Sequence, residues 1–569
     1  MSTPEPKKYL IVGGVAGGAS IAARLRRLDE NAQITMLERG RDVSFSNCSL
    51  PYFLSREVED AEWLKLVDPP TFHDRYRITA LTRHEALRIN RADKTVLVRD
   101  LNTGEDRVLP YDTLFLSPGA MPIMPSALPG IRLPHVFSVR NVEDVERIDR
   151  YLKAHGVTKV AIIGGGFIGV EVMENLVEAG IRVSLIDLAP QVMLPFDEDM
   201  AQFLHKEIVD CGVELILGDG LNGISENGVT LNSGRFVDAQ AVIMAIGVRP
   251  ETALAKEAGL ALGQTGAILV DEHMRTSDGH IFAVGDAVEV QNMQTGQQTR
   301  LALAGPALRQ ARVAANTASG RPDTIDGVLG ASVLRVFSLN AAGVGLNERQ
   351  CAQQGLDYAV SFVSPMDKVS IMPGAMPLFF KLVYEKGSGR VLGAQAIGRG
   401  AADKRIDVIA TLLRFGGTVE DLKDLELTYS PVFSTARDVV NQAALSASDA
   451  REGLVKQVMF TQVRALRQAG AFIVDVREED EFADGHIKGA ANIPLSRFRE
   501  RMGEIPKDRP VYLHCRTGQR SYNAARVLTQ SGWEYVFNVA GSFLALSWFE
   551  FYRDQAEGRE PILTAYQFD

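Results

Sequence analysis

Cysteine is scarce in this chain of 569 residues. The four present, Cys48, Cys211, Cys351 and Cys515, stand too far apart for a metal-ligand pair or a dense disulfide framework. That distribution suits a reducing compartment. Long apolar runs are missing too: Met1 to Lys8 is polar with Pro4 and Pro6, and the run after it has only strand length. Neither a signal peptide nor a membrane span is therefore expected, and the chain reads as cytoplasmic. Positive charge is not in excess. A net charge of −10 argues against a nucleic-acid partner but leaves room for a local basic pocket holding an anion. His205 and His273 are isolated, so no metal site is expected. The remainder, 46% hydrophobic and 23% charged, is ordinary for a globular protein and too long for one core.

Two stretches carry glycine turns between a short apolar run and a helix. The first has Tyr9 to Val12 as the strand, then Gly13-Gly14-Val15-Ala16-Gly17-Gly18, an amphipathic helix with Arg24, Arg26 and Arg27, and a second strand ending at Glu38. The second has Val160 to Ile163, then Gly164-Gly165-Gly166-Phe167-Ile168-Gly169, and a strand Val183 to Ile186 ending at Asp187. Glycines let the backbone approach a pyrophosphate at a helix N-terminus, and the acid at the next strand's end binds a ribose hydroxyl. Val15 replaces the middle glycine of the first copy, while Gly164, Gly166 and Gly169 complete the second. Asp187 favours NADH, because a carboxylate repels the 2′-phosphate of NADPH. Two such units imply two nucleotides. The turn at Ser117-Pro118-Gly119-Ala120 and the stretch Phe282-Ala283-Val284-Gly285-Asp286-Ala287 support FAD for the first.

Taken as a set over about residues 8–445, these motifs resemble the pyridine nucleotide–disulfide oxidoreductases. That resemblance implies that Asp286 binds the flavin's ribityl chain and that Arg39, Arg140 and Ala304 also contact FAD. It implies that Phe167 covers the nicotinamide face of the flavin, with Ile168, Glu171 and Gly247 on the NADH side. Residues 326–445, with strands such as Leu378 to Tyr384 and Val391 to Ile397 and a helix from Arg405 to Phe415, look like the family's dimerisation domain, which implies a homodimer. In relatives, the tyrosine matching Tyr429 reaches the partner's active cysteine.

Cys48 lies in Ser44-Phe45-Ser46-Asn47-Cys48-Ser49-Leu50-Pro51-Tyr52. A small buried thiol is the commonest fate of a free cysteine, but this surrounding is polar and matches the family's single-cysteine subgroup. No second cysteine stands four or five residues away, so Cys48 is expected to cycle through a mixed disulfide, a persulfide or a sulfenic acid. A lowered thiolate pKa at an electropositive helix end is expected there. The resemblance to coenzyme A disulfide reductases implies that Ser20, Arg24, Arg27, Ser44, Asn47 and Arg437 line a coenzyme A site. Guanidinium groups suit its phosphates. Two positions depart from that subgroup: Ile371-Met372-Pro373-Gly374 replaces a Tyr-Tyr-Pro-Gly stretch, and Tyr76 stands where a lysine is expected. Cys211, before Gly212 and a strand, reads as core, and Cys351 lies in a polar, surface-like run.

Beyond a helical or flexible linker the pattern restarts with Phe472 to Arg477, Gly485-His486-Ile487-Lys488-Gly489-Ala490 and Val511 to Cys515. Cys515 opens a loop, Arg516-Thr517-Gly518-Gln519-Arg520, whose successive backbone N–H groups at a helix N-terminus stabilise an anion. Small phosphatases bind phosphate with the same geometry. The loop length and the upstream Gly-His-Ile-Lys-Gly-Ala resemble rhodanese, which implies a persulfide carried on Cys515.

The fold class expected is α/β, with two Rossmann-like nucleotide-binding domains, an α+β dimerisation domain and an α/β rhodanese domain. The divisions fall at 1–150 and 279–325 for FAD, 151–278 for NADH, 326–445 for dimerisation, 446–458 for the linker and 459–569 for rhodanese. The function expected is NADH-dependent reduction of coenzyme A persulfide or polysulfide at Cys48. Coenzyme A disulfide reduction, an NADH oxidase or peroxidase, and a sulfur carrier or redox sensor with little turnover are the alternatives.

Overall fold

A computed structural model describes residues 5–568. They form two compact units: residues 5–188 with 216–328, and 189–215 with 329–568. In the first unit a parallel five-stranded sheet runs Ile281–Ala283, Thr113–Leu116, Lys8–Val12, Gln33–Glu38, Ile78–Thr82. The strand order reverses beside Lys8–Val12, and such a reversal opens a crevice at the strands' C-terminal ends. The helix Ala16–Leu28 leaves that crevice. Ile21, Ala22 and Leu25 are fully buried on one side of it, while Arg27 is exposed. Arg26 turns inward instead and donates to the carbonyls of Tyr76, Asp29, Glu30, Ala32 and Arg77.

A second sheet repeats the arrangement in the order Glu214–Leu217, Arg182–Asp187, Lys159–Ile163, Ala241–Met244, Val136–Phe137. Its nucleotide strand, Lys159–Ile163, is again central, and the helix Phe167–Glu178 follows the glycine turn. This unit also holds a three-stranded antiparallel sheet over His84–Asn90, Thr95–Asp100 and Asp106–Pro110, which has no counterpart in the motif reading.

The second unit holds two sheets. One is antiparallel, in the order Ser332–Val336, Leu339–Gly345, Val391–Gly398, Leu378–Glu385, Tyr358–Val363. Helices Ala402–Arg414 and Val439–Arg451 pack on it through Ile406, Ile409, Leu413, Val440 and Ala444. The other is parallel, in the order Lys456–Met459, Val536–Ala540, Val511–His514, Phe472–Asp475, Ala491–Asn492. Helix Glu198–Asp210 follows the second nucleotide strand in sequence, yet belongs to this unit. Phe203 on it stacks on Phe379 at 4.3 Å and meets Trp548 edge-on at 6.1 Å. Lys206 Nζ sits 3.8 Å from the centre of the Phe568 ring, a cation–π contact.

Two cysteines are placed opposite to expectation. Cys211 follows the last turn of that helix, where residues 210–212 emerge into solvent, and it is exposed. Cys351 is fully buried, because the helix Glu348–Gln353 turns it towards Leu346, Val383 and Leu392. Burial pushes its thiol up to about 12.

Candidate functional site

The two glycine turns are built on one steric plan. Gly13 has φ +96° and Gly164 φ +111°, a left-handed backbone open to glycine. A Cβ on Gly18 would lie 1.8 Å from the Gly13 carbonyl oxygen, and one on Gly169 would lie 1.8 Å from that of Gly164. Gly17 packs against Ser117, which ties the Ser-Pro-Gly-Ala turn to the first fingerprint. Val15 and Gly166 occupy the same place, each just before its helix. A Cβ on Gly166 would meet no atom within 4 Å, so nothing in the folded chain requires glycine there. Open space at that point is what an approaching pyrophosphate needs.

Both strand-end acids face their turns. Glu38 accepts the N–H of Gly14 at 2.9 Å and that of Gly40 at 2.7 Å, and Asp187 accepts the N–H of Gly165 at 2.5 Å. A cleft of about 550 Å³ lies over the first turn, lined among others by Val15, Ala16, Glu38, Asn47, Pro118 and Asp286. Burial raises the Asp286 carboxyl. Arg39 and Arg140 also line the cleft, and both reach Glu251, at 3.0 and 3.1 Å. The Gly285 N–H is held by Gln310 at 2.7 Å. Ala304 starts the helix Ala304–Ala318, and Ala307 one turn on lines the cleft. Gly cradle, acid and cleft fit a dinucleotide cofactor. Glu251 and Gln310 lie far from the fingerprints in sequence, and no local signal marks them.

Cys48 is exposed in a single 3₁₀ turn, Asn47–Ser49, ahead of the short helix Leu50–Leu54. Its thiol is raised, not lowered as expected. Desolvation dominates, and the carboxylates of Glu171 and Asp286 add to it. The local helix has five residues, too few to supply the expected field, while two acids face the sulfur. Glu171 is itself pushed up to about 7 by burial and by Glu174. Phe167 and Ile168 begin the same helix, one turn before Glu171, and Gly247 has φ +108° and accepts the N–H of Ile123 at 3.0 Å. The structure thus brings Cys48, Glu171 and Asp286 into electrostatic reach of one another.

Ser44 adopts φ +47°, and its N–H bonds to the Gly14 carbonyl at 2.8 Å, which ties the cysteine segment to the first turn. Ser20, Arg24 and Arg27 lie on the helix after that turn. Arg24 Nε donates to Asn316 at 2.8 Å. Desolvation and then the like charges of Arg312, Arg27 and Arg321 hold the Arg24 pKa below its ordinary value. Tyr76 is partly exposed at the end of the helix Pro69–Tyr76. Tyr429 and Arg437 belong to the second unit, where both are exposed, as is Ile371 at 85%.

Cys515 is buried at the end of the strand Val511–His514. Its Sγ accepts the Gly518 N–H at 3.1 Å, and its own N–H bonds to Ser542 Oγ at 3.2 Å. Gly518 has φ +108°, the bend that sends Arg516 and Thr517 round the sulfur, and Gln519 opens the helix Gln519–Gln530. Arg520 is clamped by both oxygens of Glu481, at 2.6 and 2.7 Å, which raises its pKa further. Beneath the loop, Asp475 and Arg477 form a fully buried pair. Ser542 and Glu481 are recognisable only once folding brings them to the loop.

The pyridine nucleotide-disulphide oxidoreductase family matches residues 7–311, that family's dimerisation domain matches 332–440, and the rhodanese-like domain matches 459–547. Coenzyme A disulfide reductase of Staphylococcus aureus is 34% identical over 442 residues, 77% of this chain and 99% of that protein. The crystal structure of reduced Bacillus anthracis CoADR-RHD superposes with a TM-score of 0.93 at 42% identity, covering 96% of this chain and 98% of the other. An NAD-dependent persulfide reductase from A. fulgidus superposes with a TM-score of 0.89 at 33% identity, covering 95% and 99%.

Proposed function

Because this chain belongs to the FAD- and NAD(H)-dependent pyridine nucleotide-disulphide oxidoreductases and ends in a rhodanese domain, we propose that it uses NADH to reduce persulfides of coenzyme A or a related thiol, releasing sulfide. The carrying observation is the pairing of two thiols with different settings: Cys48 exposed by the first nucleotide turn, and Cys515 buried with the Gly518 N–H donated to its sulfur. The first suits exchange with a substrate sulfur, the second storage of a sulfane sulfur.

FAD and NADH, when bound, supply the electron pair. The Cys48 thiolate attacks the outer sulfur of R-S-SH, so that Cys48-S-SH forms and RS⁻ leaves. Two electrons and one proton then return Cys48 to the thiolate and release H2S, while RS⁻ takes up the other proton. The sum is R-S-SH + NADH + H⁺ → R-SH + H2S + NAD⁺. Arg24, Arg27, Ser20, Ser44 and Asn47 are proposed to hold the anionic carrier, supported by the mutual repulsion of arginines around Arg24, which an anion relieves. Phe167, Glu171 and Gly247 are proposed to receive the nicotinamide, and Cys515 with Arg516 to Arg520 to carry sulfur. The divisions at residues 150, 278, 325, 445 and 458 are proposed as domain limits.

A homodimer is proposed as the working form. Its support is the dimerisation-domain match and the exposed apolar side chains Tyr429, Val432, Phe433 and Ile371, at 48, 50, 72 and 85%. With none of the four cysteines in a disulfide, a reducing cytoplasm is the proposed setting. A second reading, coenzyme A disulfide reduction, is favoured by the 42% identity to CoADR-RHD. Ile371 and Met372, which lack hydroxyls, speak for the persulfide.

Anaerobic NADH oxidation and sulfide release with coenzyme A persulfide, coenzyme A disulfide and polysulfide test the reading. Sulfide from the persulfide, lost about a thousandfold in Cys48→Ser and partly in Cys515→Ser, supports it. Fast turnover with the disulfide alone supports the second reading. No turnover with any of the three refutes both and favours a carrier or sensor.

A further inference from the structure

The Cys515 loop hangs from a turn that its own domain does not fully enclose. Gly541 and Ser542 are consecutive left-handed residues, with φ +77° and +48°. A serine held there is strained and persists only where its surroundings over-determine it. Three hydrogen bonds anchor the loop to the turn, and a fourth fixes Ser542 itself. Ser542 Oγ accepts the Cys515 N–H at 3.2 Å and donates to the Val539 carbonyl at 2.8 Å. The N–H groups of Phe543 and Leu544 reach the carbonyls of Cys515 and Arg516, at 3.1 and 2.9 Å.

What encloses the turn is aromatic. A Cβ added to Gly541 would lie 2.5 Å from the Phe460 ring, 2.9 Å from Ala545 and 3.0 Å from the Phe362 ring. Phe460 and Ala545 belong to the same domain as Cys515. Phe362 does not: it stands on the strand Tyr358–Val363 of the antiparallel sheet, is 2% exposed, and meets Phe460 edge-on at 4.9 Å. Phe460 in turn packs edge-on against Phe549 at 5.6 Å.

We propose that Phe362 is a positioning residue for the Cys515 loop, so that the dimerisation sheet supplies the last wall of the rhodanese-type site. Removing the ring frees Gly541 to move towards the vacated space. Ser542 then lets go of the Cys515 N–H, and the Gly518 N–H and Ser521 hydroxyl that donate to the sulfur lose their alignment. The inference rests on reading Cys515 as the sulfur carrier. It assigns Phe362 no part in hydride or thiol chemistry.

The test is the pH profile of iodoacetamide alkylation in the full-length protein, with Cys515 and Cys48 quantified separately by peptide mass spectrometry. In Phe362→Ala, alkylation of Cys515 at pH 7.5 is expected to slow about threefold and its profile to move to higher pH, because thiolate formation loses its donors. Ser542→Ala is expected to move it the same way, Phe362→Leu to restore it, and Cys48 to keep its profile in all three. A Phe362→Ala profile superimposed on the parent's overturns the proposal. So does an equal displacement at Cys48, which marks general loosening. If Phe362→Ala precipitates, the smaller truncation Phe362→Val must displace the Cys515 profile or the proposal falls. Cyanide-releasable sulfur after incubation of the unaltered protein with thiosulfate is measured in parallel. Its absence refutes the carrier reading of Cys515, while the alkylation profiles still decide whether Phe362 positions the loop.

Discussion

Lys381 Nζ donates to both carboxylate oxygens of Asp199, each at 2.8 Å, and both residues are buried. Asp197 lies 3.1 Å from the same nitrogen and Glu348 2.5 Å. Burial alone would lower the lysine's pKa, yet the three acids together raise it. A pKa raised on folding adds stability in full below the unfolded value, about pH 10, and that share fades only as the pH rises through the folded one. Lys381→Met is therefore expected to cost about 3–5 kcal/mol near pH 7, because it strands three acids. Thermal unfolding of variant and parent at pH 7 reads the loss, and equal melting temperatures contradict it.

Glu171→Gln is expected to make Cys48 more reactive. The Glu171 carboxylate ionises near pH 7 and then pushes the Cys48 thiol up, so the variant's alkylation at pH 8 should be about threefold faster than the parent's. Below pH 6 the carboxyl is already neutral, and the two proteins should converge. Equal rates at pH 8 would remove Glu171 from the surroundings of the sulfur.

Gly18→Ala and Gly169→Ala set a Cβ against the carbonyl oxygen that opens each turn. Overpacking of this kind costs about 1–3 kcal/mol, tenfold or more in binding. The first variant should be purified with little flavin. The second should keep its flavin absorbance and show a KM for NADH raised about tenfold. Loss of flavin from Gly169→Ala would reverse the assignment of the two turns.

Asp187→Ser removes the charge at the end of the second nucleotide strand. The ratio of kcat/KM for NADH over NADPH is expected to fall about tenfold, since the 2′-phosphate no longer meets a carboxylate. An unchanged ratio places the discrimination elsewhere.

The glycine turns were legible in the sequence because their requirement is steric and local: Gly13 and Gly18, like Gly164 and Gly169, answer to one another within a few residues. Cys48 and Cys515 stood out for the same reason, each embedded in a contiguous motif. Cys211 and Cys351 were placed on the wrong sides, because the face a helix buries depends on the partner it meets. The sign of the Cys48 shift was missed because Glu171 and Asp286 reach the sulfur only through the fold. Lys381, Glu251 and Ser542 each meet partners far away along the chain, and no spacing rule finds such groups.

Phe203, Phe379 and Trp548 interlock three stretches of chain that begin some 170 residues apart. A gene shortened to end at Val455 would leave Phe203 and Phe379 without Trp548, and Phe362 without Phe460, as a bare oily patch. Such a product invites aggregation, so the join between the oxidoreductase and rhodanese-like parts is difficult to undo by simple deletion. Restoring a free-standing reductase from this chain calls for polar replacements at those rings as well as a stop codon.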